Sequence, residues 1–457
     1  MRFSNSDSSI VRRSLKRLAA AVAAASLFAA LAIACVTPAH ATPEVPGEAQ
    51  KQPIALVGGT IHPVSGPSIV EGVVLIEKGR ITAIGKDVPL PAGTQKFDVK
   101  GKHIFPSLID AHSNMGLVEI NSVKATVDDS ETGSINPNVR AIVAVNPDSE
   151  IIPTTRSNGV LLTLTAPSGG ILAGRSAVIQ LDGWTWEDLT LRDNVALHLN
   201  WPNMSPTGEW LGGAPGGEQA SARDRALDEL KRAFEQARAY AKARRAPGSR
   251  QSIDVRWESM LDVLDGKIPV MIHADEIHQI QAAVAFGVDN KLKMMLHGGY
   301  DAPRCAALLK QHNIPVIVAG TYRLPMRKSD DFDASYTVPE RLRAAGIKYC
   351  IASAGRFGAS NVRNLPYQAA TAAAYGLPVD EALKSVTLYP AEILGIADRV
   401  GSLEAGKDAT LFIADGHPLE TETLVEAAFV QGRKVELNDR HKRLWKKYEE
   451  KQRQLAK

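Results

Sequence analysis

The sequence predicts an α/β protein: a (β/α)8 TIM-type barrel with a small β-sandwich domain built from the N- and C-terminal segments. Two observations lead to this fold class. Eight short apolar runs alternate with helical stretches between residues 104 and 354, as parallel strands covered by helices do. Two β-rich segments flank that region, at 52–105 and 400–437, and neither has enough strands to bury a core alone. A chain of 457 residues, 44% of them hydrophobic, is long enough for both domains.

The first 41 residues have the features of a signal peptide. Four basic residues between positions 12 and 17 precede the apolar run 18–33, and Ala39 and Ala41 suit cleavage near residue 41. We therefore expect a periplasmic or secreted chain with no stable membrane span after signal removal, because the run is short and alanine-rich. The paired arginines also resemble a twin-arginine signal. A lipoprotein signal at Cys35 fits less well, because Ala32 is a poor match three residues before it.

Charge and cysteine content limit the partners. The signal holds five Lys or Arg and one Asp, so the 53 basic and 50 acidic residues of the whole chain become 48 and 49 without it. This balance argues against nucleic acid and leaves a small-molecule substrate as the expected partner. A homo-oligomer is compatible with the sequence. Cys305 and Cys350 lie in apolar contexts and are predicted to be buried thiols rather than a disulfide.

The predicted barrel spans residues 106–399. Its eight strands are expected to be parallel, and eight is the number that closes such a barrel. The runs lie at 104–112, 159–166, 175–181, 195–201, 269–275, 293–299, 315–321 and 348–354. The alternative is an open doubly wound sheet, but no GxGxxG loop follows the first strand. The tail 438–457 is predicted to be a charged, solvated helix.

Three histidines stand at the ends of predicted strands. His112 follows the first strand, His273 the fifth and His297 the sixth. In a barrel of this type the active site lies at the C-terminal ends of the strands. Neutral imidazoles that converge there suit zinc or a similar divalent ion. His198, near the end of the fourth strand, is a less favoured candidate.

Three stretches resemble a known family. GKHIFPSLIDAHSN at 101–114, LHGG at 296–299 and TLYPAEILGIADRVGSLEAGKDATLFIADGHPL at 387–419 resemble the amidohydrolase superfamily, closest to its imidazolonepropionase-like and Xaa-Pro-dipeptidase-like branch. The resemblance covers about residues 52–437. It implies a barrel with one or two divalent metals, whose bound water attacks a C–N bond.

The ligand set implied by the resemblance is incomplete. The first-strand HxH pair falls on His112 and Asn114, and the fifth- and sixth-strand ligands fall on His273 and His297. No carboxylate stands near Ala354, where the family has its strand-eight Asp. Asn114 offers only an amide oxygen, a weaker partner for zinc than imidazole. We therefore expect one divalent metal, zinc by preference, or a protein that has lost its metal.

Other residues could supply the missing functions. Asp275 lies two residues after His273 and could act as the general base, although capping of the following helix explains it as well. Arg356 and Arg363 follow the eighth strand and could bind a substrate carboxylate. Loop solubility explains both arginines about equally well.

Two functions follow from these features. The first is an exported hydrolase of non-peptide or small peptide-like amides that acts on C–N bonds through a metal-activated water at a mononuclear site. The alternative is a catalytically weakened barrel, a pseudoenzyme that binds a small molecule. Metal content distinguishes the two.

Overall fold

Residues 45–205, 216–353 and 358–456 are described by the structure, a computed structural model of the chain. The predicted signal peptide at 1–41 and the predicted substrate-binding residue Arg356 lie outside the described residues. So does Ala354, the position of the missing strand-eight carboxylate. Within the described part, no helix is both long enough and apolar enough to cross a membrane.

Both ends of the chain contribute to one eight-stranded sheet. Its strands are β1 (Ile54–Ile61), β2 (Ile69–Glu77), β3 (Arg80–Gly85), β4 (Gln95–Asp98), β5 (His103–Pro106), β16 (Leu411–Ala414), β17 (Val425–Val430) and β18 (Arg433–Val435). The order is β18–β17–β16–β5–β1–β2–β3, and β4 pairs with β1. The antiparallel pair β5–β16 links the two segments and sets Phe105 opposite Phe412. Their stacked rings have centroids 5.5 Å apart.

A tight turn with sequence EKGR connects the antiparallel strands β2 and β3. Lys78 and Gly79 have φ angles of 51° and 78°, the positive values that a two-residue hairpin turn requires. A Cβ at Gly79 would lie 2.8 Å from the carbonyl oxygen of Gln431. Glycine is therefore required at position 79 for two reasons. The turn needs a positive φ, and the backbone of Gln431, between β17 and β18, comes too close for a side chain.

The remaining strands form two further sheets. They are β6 (Leu108–Ser113), β7 (Val160–Thr165), β8 (Leu172–Arg175), β9 (Ala177–Gln180), β10 (Thr190–Arg192), β11 (Leu197–Asn200), β12 (Val270–Ala274), β13 (Met294–Gly298), β14 (Val316–Ala319) and β15 (Tyr349–Ala352). The sheet orders are β10–β9–β7–β6 and β15–β14–β13–β12–β11–β8. Each of the eight predicted apolar runs contains a strand. Every residue of β7, β14 and β15 is buried, as expected for strands covered on both faces.

The third predicted strand does not run parallel to its neighbours. β9 pairs with β7 in antiparallel fashion, and β8 pairs with β11 in the same way. The expectation of eight parallel strands is therefore wrong at this position. Only Ser176 separates β8 from β9, so the chain reverses between β7 and this pair of strands within residues 166–171. A parallel return needs a crossover of about a dozen residues or more.

Twelve helices lie in the described part of the chain. They are α1 (Ile151–Arg156), α2 (Trp186–Leu189), α3 (Gly216–Arg244), α4 (Val255–Leu264), α5 (Ile277–Asp289), α6 (Ala306–Gln311), α7 (Val338–Ala344), α8 (Gly358–Asn361), α9 (Leu365–Ala374), α10 (Val379–Lys384), α11 (Leu388–Ile393) and α12 (Arg440–Leu455). Short 3-10 turns lie at Lys124–Thr126, Ala141–Ala144, Ala302–Cys305 and Val362–Asn364. The connection after β12 shows the pattern. α5 buries Ile280, Ala283 and Val284 on one face, the spacing of an amphipathic helix.

Both cysteines in the described part are free and buried, as predicted. Cys350 lies within β15, and Cys305 ends the 3-10 turn before α6. Burial raises the pKa of the Cys350 thiol well above its ordinary value. Neither thiol is therefore suited to act as a nucleophile.

Candidate metal centre and active site

Four histidines from four strands form one cluster. His112 lies on β6, His198 on β11, His273 on β12 and His297 on β13. His273 Nε2 is 2.9 Å from His198 Nδ1, and His273 Nδ1 is 2.9 Å from His297 Nδ1. The rings of His112 and His297 stack with centroids 3.9 Å apart. The structure therefore brings the three predicted histidines together and adds His198.

The strand register explains this convergence. β12 and β13 pair in parallel with His273 opposite His297, so both side chains leave their strands at the same height. His198 lies two residues before Asn200, which stands opposite His273. Alternation along a strand points His198 the same way as Asn200 but one layer deeper. His198 therefore lies deeper along its strand than His273 and His297 do.

The four imidazoles are held in their neutral form. Burial lowers the pKa of His112 to about 4. Burial, and then the neighbouring imidazoles, lower the pKa values of His198, His273 and His297 well below the ordinary range. Neutral imidazole is the form that binds metal ions.

The donor set fits a divalent ion. Nitrogen atoms of His112, His198 and His273 all lie within 4.8 Å of one another. Among the described residues, Nε2 of His198 and Nε2 of His297 are buried without a hydrogen-bond partner. A buried polar atom left unpaired is costly, and a metal ion would satisfy such nitrogens. Three or four neutral imidazoles are a ligand set typical of zinc.

Asn114 bonds to helix α8 and to the loop after β6 beside the cluster. Its Oδ1 accepts a hydrogen bond of 2.7 Å from the backbone N–H of Ala359 in α8. Its Nδ2 donates to Asp129 Oδ2 over 3.4 Å. A Cβ at Gly358 would lie 2.7 Å from Asn114 Oδ1, so this contact needs glycine. The ligand role of Asn114 stays a prediction, whereas its contacts are those of a positioning residue.

Asp275 is held in an ion pair. Its two carboxylate oxygens accept hydrogen bonds of 2.8 and 2.9 Å from the guanidinium of Arg323, and Oδ1 also accepts from the backbone N–H of Tyr300. The residue that caps α5 is Glu276, so the capping explanation of Asp275 is wrong. Its role as general base stays a prediction, and the bidentate pair opposes it because both carboxylate oxygens are already occupied by the guanidinium.

Arg323 is a site residue that the sequence analysis missed. It follows β14 by four residues, and its partner Asp275 is 48 positions away along the chain. Its signal in the sequence is its place just beyond a buried strand, which it shares with the histidines. Arg363, by contrast, places its Nη1 2.9 Å from His441 Nδ1 in α12. Arg363 is not among the described residues that line the cavity beside the imidazoles. Its predicted role in binding substrate therefore has no support from its position.

The cluster opens into a cavity of about 450 Å³. Besides His112, His273 and His297, its described lining consists of Ser113, Asn114, Asp129, Ala166, Pro167, Ser168, Asn200, Asp275, Ala319, Tyr322, Arg323, Ser353 and Gly358. The size suits a small molecule. Two carboxylates, one guanidinium and several hydroxyl and amide groups therefore face the space next to the imidazoles.

A buried carboxylate supports the cavity floor. Asp110 accepts a hydrogen bond of 2.9 Å from the backbone N–H of Ser353 and a further one from its hydroxyl. Its Oδ1 also faces the backbone N–H of His112 at 3.3 Å. Burial raises the pKa of Asp110 to about 6, against these hydrogen bonds. Asp110 thus ties β6 to the end of β15 beside the first histidine.

Comparison with known proteins supports one family. The family model described as "Amidohydrolase family" matches residues 228–436. Imidazolonepropionase from Mesorhizobium japonicum is 26% identical over 404 residues, which cover 84% of this chain and 94% of that protein. Amidohydrolase tasK from Hapsidospora irregularis is 23% identical over 394 residues, 76% of this chain. The match spans only 38% of the length of that relative.

A solved structure agrees over nearly its whole length. The crystal structure of an amidohydrolase from Thermotoga maritima MSB8 superimposes with a TM-score of 0.73 at 25% sequence identity. The match covers 84% of this chain and 99% of that one. The family match, the imidazolonepropionase relative and this structural likeness together support the amidohydrolase superfamily as the family of this chain.

Proposed function

We propose that this protein hydrolyses C–N bonds of small non-peptide or peptide-like amides at a mononuclear metal site. The observation that carries the proposal is the cluster of four neutral imidazoles beside a cavity of about 450 Å³. The relative from Mesorhizobium japonicum, an imidazolonepropionase, supports a small substrate with a C–N bond. The sequence of the first 41 residues supports action outside the cytoplasm.

His112, His198 and His273 are the residues that would hold the ion. His297 stacks on His112 and is a fourth candidate, because its buried Nε2 has no hydrogen-bond partner among the described residues. A bound divalent ion would polarise water and the substrate carbonyl. Zinc is the metal we propose, since neutral imidazoles are its usual ligands in mononuclear sites.

The proton of the attacking water needs an acceptor in the cavity. The carboxylate of Asp275 is occupied by Arg323. The carboxylate of Asp129 also lines the cavity, and its only side-chain hydrogen bond within the described residues is the long one from Asn114. Asp129 would take a proton from water as the C–O bond forms, then return it to the leaving nitrogen as the C–N bond breaks.

The two smaller sheets would close into one barrel. Asp110 on β6 bonds to Ser353 directly after β15, which joins the first strand of one sheet to the last strand of the other. His112 of the first sheet stacks on His297 of the second. The likeness to the Thermotoga maritima structure supports this closure. In that barrel β8 and β9 would together take the place of one strand, which would run antiparallel to its neighbours β7 and β11.

Metal analysis and a substrate panel test the function together. We expect the purified protein to bind about one equivalent of zinc and to hydrolyse at least one compound among cyclic amides, N-acyl amines and dipeptides. His273→Gln should lose both properties, because His273 contacts two other imidazoles. His278→Gln is the matched control, since that side chain is exposed on α5. A zinc-loaded protein that is inactive on the whole panel would contradict the proposal.

A further inference from the structure

The C-terminal helix α12 carries an apolar stripe that the rest of the described chain does not cover. Its apolar side chains Leu444, Trp445, Tyr448 and Leu455 are 39%, 62%, 55% and 71% exposed. At 100° per residue these four fall within an arc of about 100°. No residue of α12 is buried. The helix is therefore amphipathic, with its apolar face in solvent.

Within the described residues, side-chain hydrogen bonds and ion pairs tie the first turn of α12 to the rest of the protein. Asp439 caps the helix through Lys442 N–H and accepts a hydrogen bond from Ser157. Arg443 pairs with Glu150 at 2.8 Å. In the part of the chain that the structure describes, the side-chain hydrogen bonds and ion pairs made by residues 444–455 stay within the helix. The distal turns are therefore solvent-exposed and make no side-chain hydrogen bond or ion pair to the rest of the described chain.

An exposed helix of this length gains most of its stability from a partner. α12 has 16 residues, only slightly more than the length of about 12–15 residues below which isolated helices are marginal in water, and most helix stability in proteins comes from packing of an apolar face. For α12 that face is formed by Leu444, Trp445, Tyr448 and Leu455, and packing inside the described chain does not account for it. A surface outside the chain would supply the missing contacts.

Charge indicates which surface this is. Between residues 440 and 455 the helix has seven Lys or Arg and two Glu. Such a charge excess repels the same helix of a second copy and attracts an anionic surface. Tryptophan and tyrosine prefer the boundary between water and lipid. A basic polar face opposite an aromatic and leucine stripe is typical of helices that lie in a membrane interface.

We propose that α12 is a membrane-surface helix that docks the protein onto anionic phospholipid. The helix lies in the plane of the interface, with Trp445, Tyr448 and Leu455 among the lipid chains near the headgroups. Its lysines and arginines contact the lipid phosphates. This attachment is peripheral and independent of the reaction in the cavity.

Vesicle co-sedimentation tests the proposal. The full chain and a chain from residue 42 onward are both used, because the apolar run 18–33 could itself bind lipid. We expect both forms to bind vesicles that contain phosphatidylglycerol and to bind pure phosphatidylcholine vesicles much more weakly. Replacing Lys446, Lys447 and Lys451 by Glu should weaken binding of the shorter form more than about tenfold.

A matched variant and a spectroscopic probe separate specific docking from general charge. Lys231, Arg232 and Lys242 are exposed on α3, whose opposite face is buried, so their replacement by Glu should leave lipid binding within about twofold. The tryptophan emission of the parent should shift to the blue on binding. Trp445→Phe should still bind but lose that shift.

Three results would overturn the proposal. The first is a shorter form that fails to bind phosphatidylglycerol vesicles. The second is equal loss of binding in the α12 and α3 charge variants. The third is a dimer in sedimentation velocity that Trp445→Ala with Tyr448→Ser dissociates, since the stripe would then be covered by a second copy.

Discussion

At the scale of single residues, the cavity separates two carboxylates with different surroundings. Asp275 is fixed by the guanidinium of Arg323. Asp129 accepts only the amide of Asn114 over 3.4 Å among the side-chain contacts of the described residues. The carboxylate without an ion-pair partner among the described residues is therefore the one on the long loop after β6.

Asp129→Asn should reduce kcat by about 10²–10⁴-fold, because general base catalysis is typically worth that much. The Michaelis constant and the zinc content should change little, since the amide keeps the size of the side chain and the imidazoles are untouched. Asp128→Asn is the control, because Asp128 is the exposed neighbour of the half-buried Asp129. The measurement is steady-state kinetics with metal analysis. Equal effects of the two substitutions would exclude a specific role for Asp129.

The histidine positions were predictable because parallel strands end at one rim. Each strand-end histidine could be read from an apolar run followed by His, as in residues 270–273 and 294–297. The pair between Asp275 and Arg323 could not be found this way. Two residues 48 positions apart meet only because β12 and β14 flank β13 in the sheet, and one sequence does not give that adjacency.

At the scale of elements, β8 runs antiparallel to β11. A glycine in β8 lets it pack closely against the loop before α1, at Val139. Gly174 has a φ of 129°, and a Cβ there would lie 2.8 Å from Val139 Cβ and 2.9 Å from Val139 O. The direction of β9, which follows β8 after one residue, was not predictable from composition. The run 175–181 that contains it is equally apolar in either orientation. The short connection at 166–171 was the available signal.

Gly174→Ala should lower the free energy of unfolding by about 2–4 kcal/mol, from backbone strain and the close contact together. Gly93→Ala provides the comparison, because Gly93 has a positive φ of 78° with nothing within 4 Å of an added Cβ. That variant should lose about 1 kcal/mol from the backbone alone. Denaturant unfolding of both proteins measures the difference. Similar losses would show that the loop moves away from β8 without cost.

At the scale of the whole molecule, the described histidines make stability depend on pH. Burial, and then His103 and His417, lower the pKa of His62 to about 4, while Asp380 opposes this shift. His112, His198, His273, His297 and His417 are also shifted below the ordinary value. In an unfolded chain these imidazoles become protonated near pH 6.5, whereas in the folded chain they stay neutral down to a lower pH. The contribution of these histidines to the free energy of unfolding is therefore fully present above about pH 7, and it is lost as the pH falls towards 4.

We expect the metal-free protein to lose denaturant resistance steadily between about pH 7 and pH 5. Asp110 acts in the opposite direction, because burial raises its pKa to about 6, but six histidines oppose it. His62→Gln should make the decline shallower, since that position no longer titrates. His278→Gln should leave the slope unchanged, because that side chain is exposed. An identical slope for parent and His62→Gln would contradict the assignment.

The β5–β16 ladder has a consequence for synthesis of the chain. β5 ends at Pro106 and β16 begins at Leu411, so about 300 residues must be made before the two can pair. Such separation in sequence slows folding. Until then β5 is an open strand edge, and open edges recruit other chains. A ribosome that stalls before residue 411 would therefore release an aggregation-prone fragment, whereas a polypeptide extended beyond that point can shield its own edge.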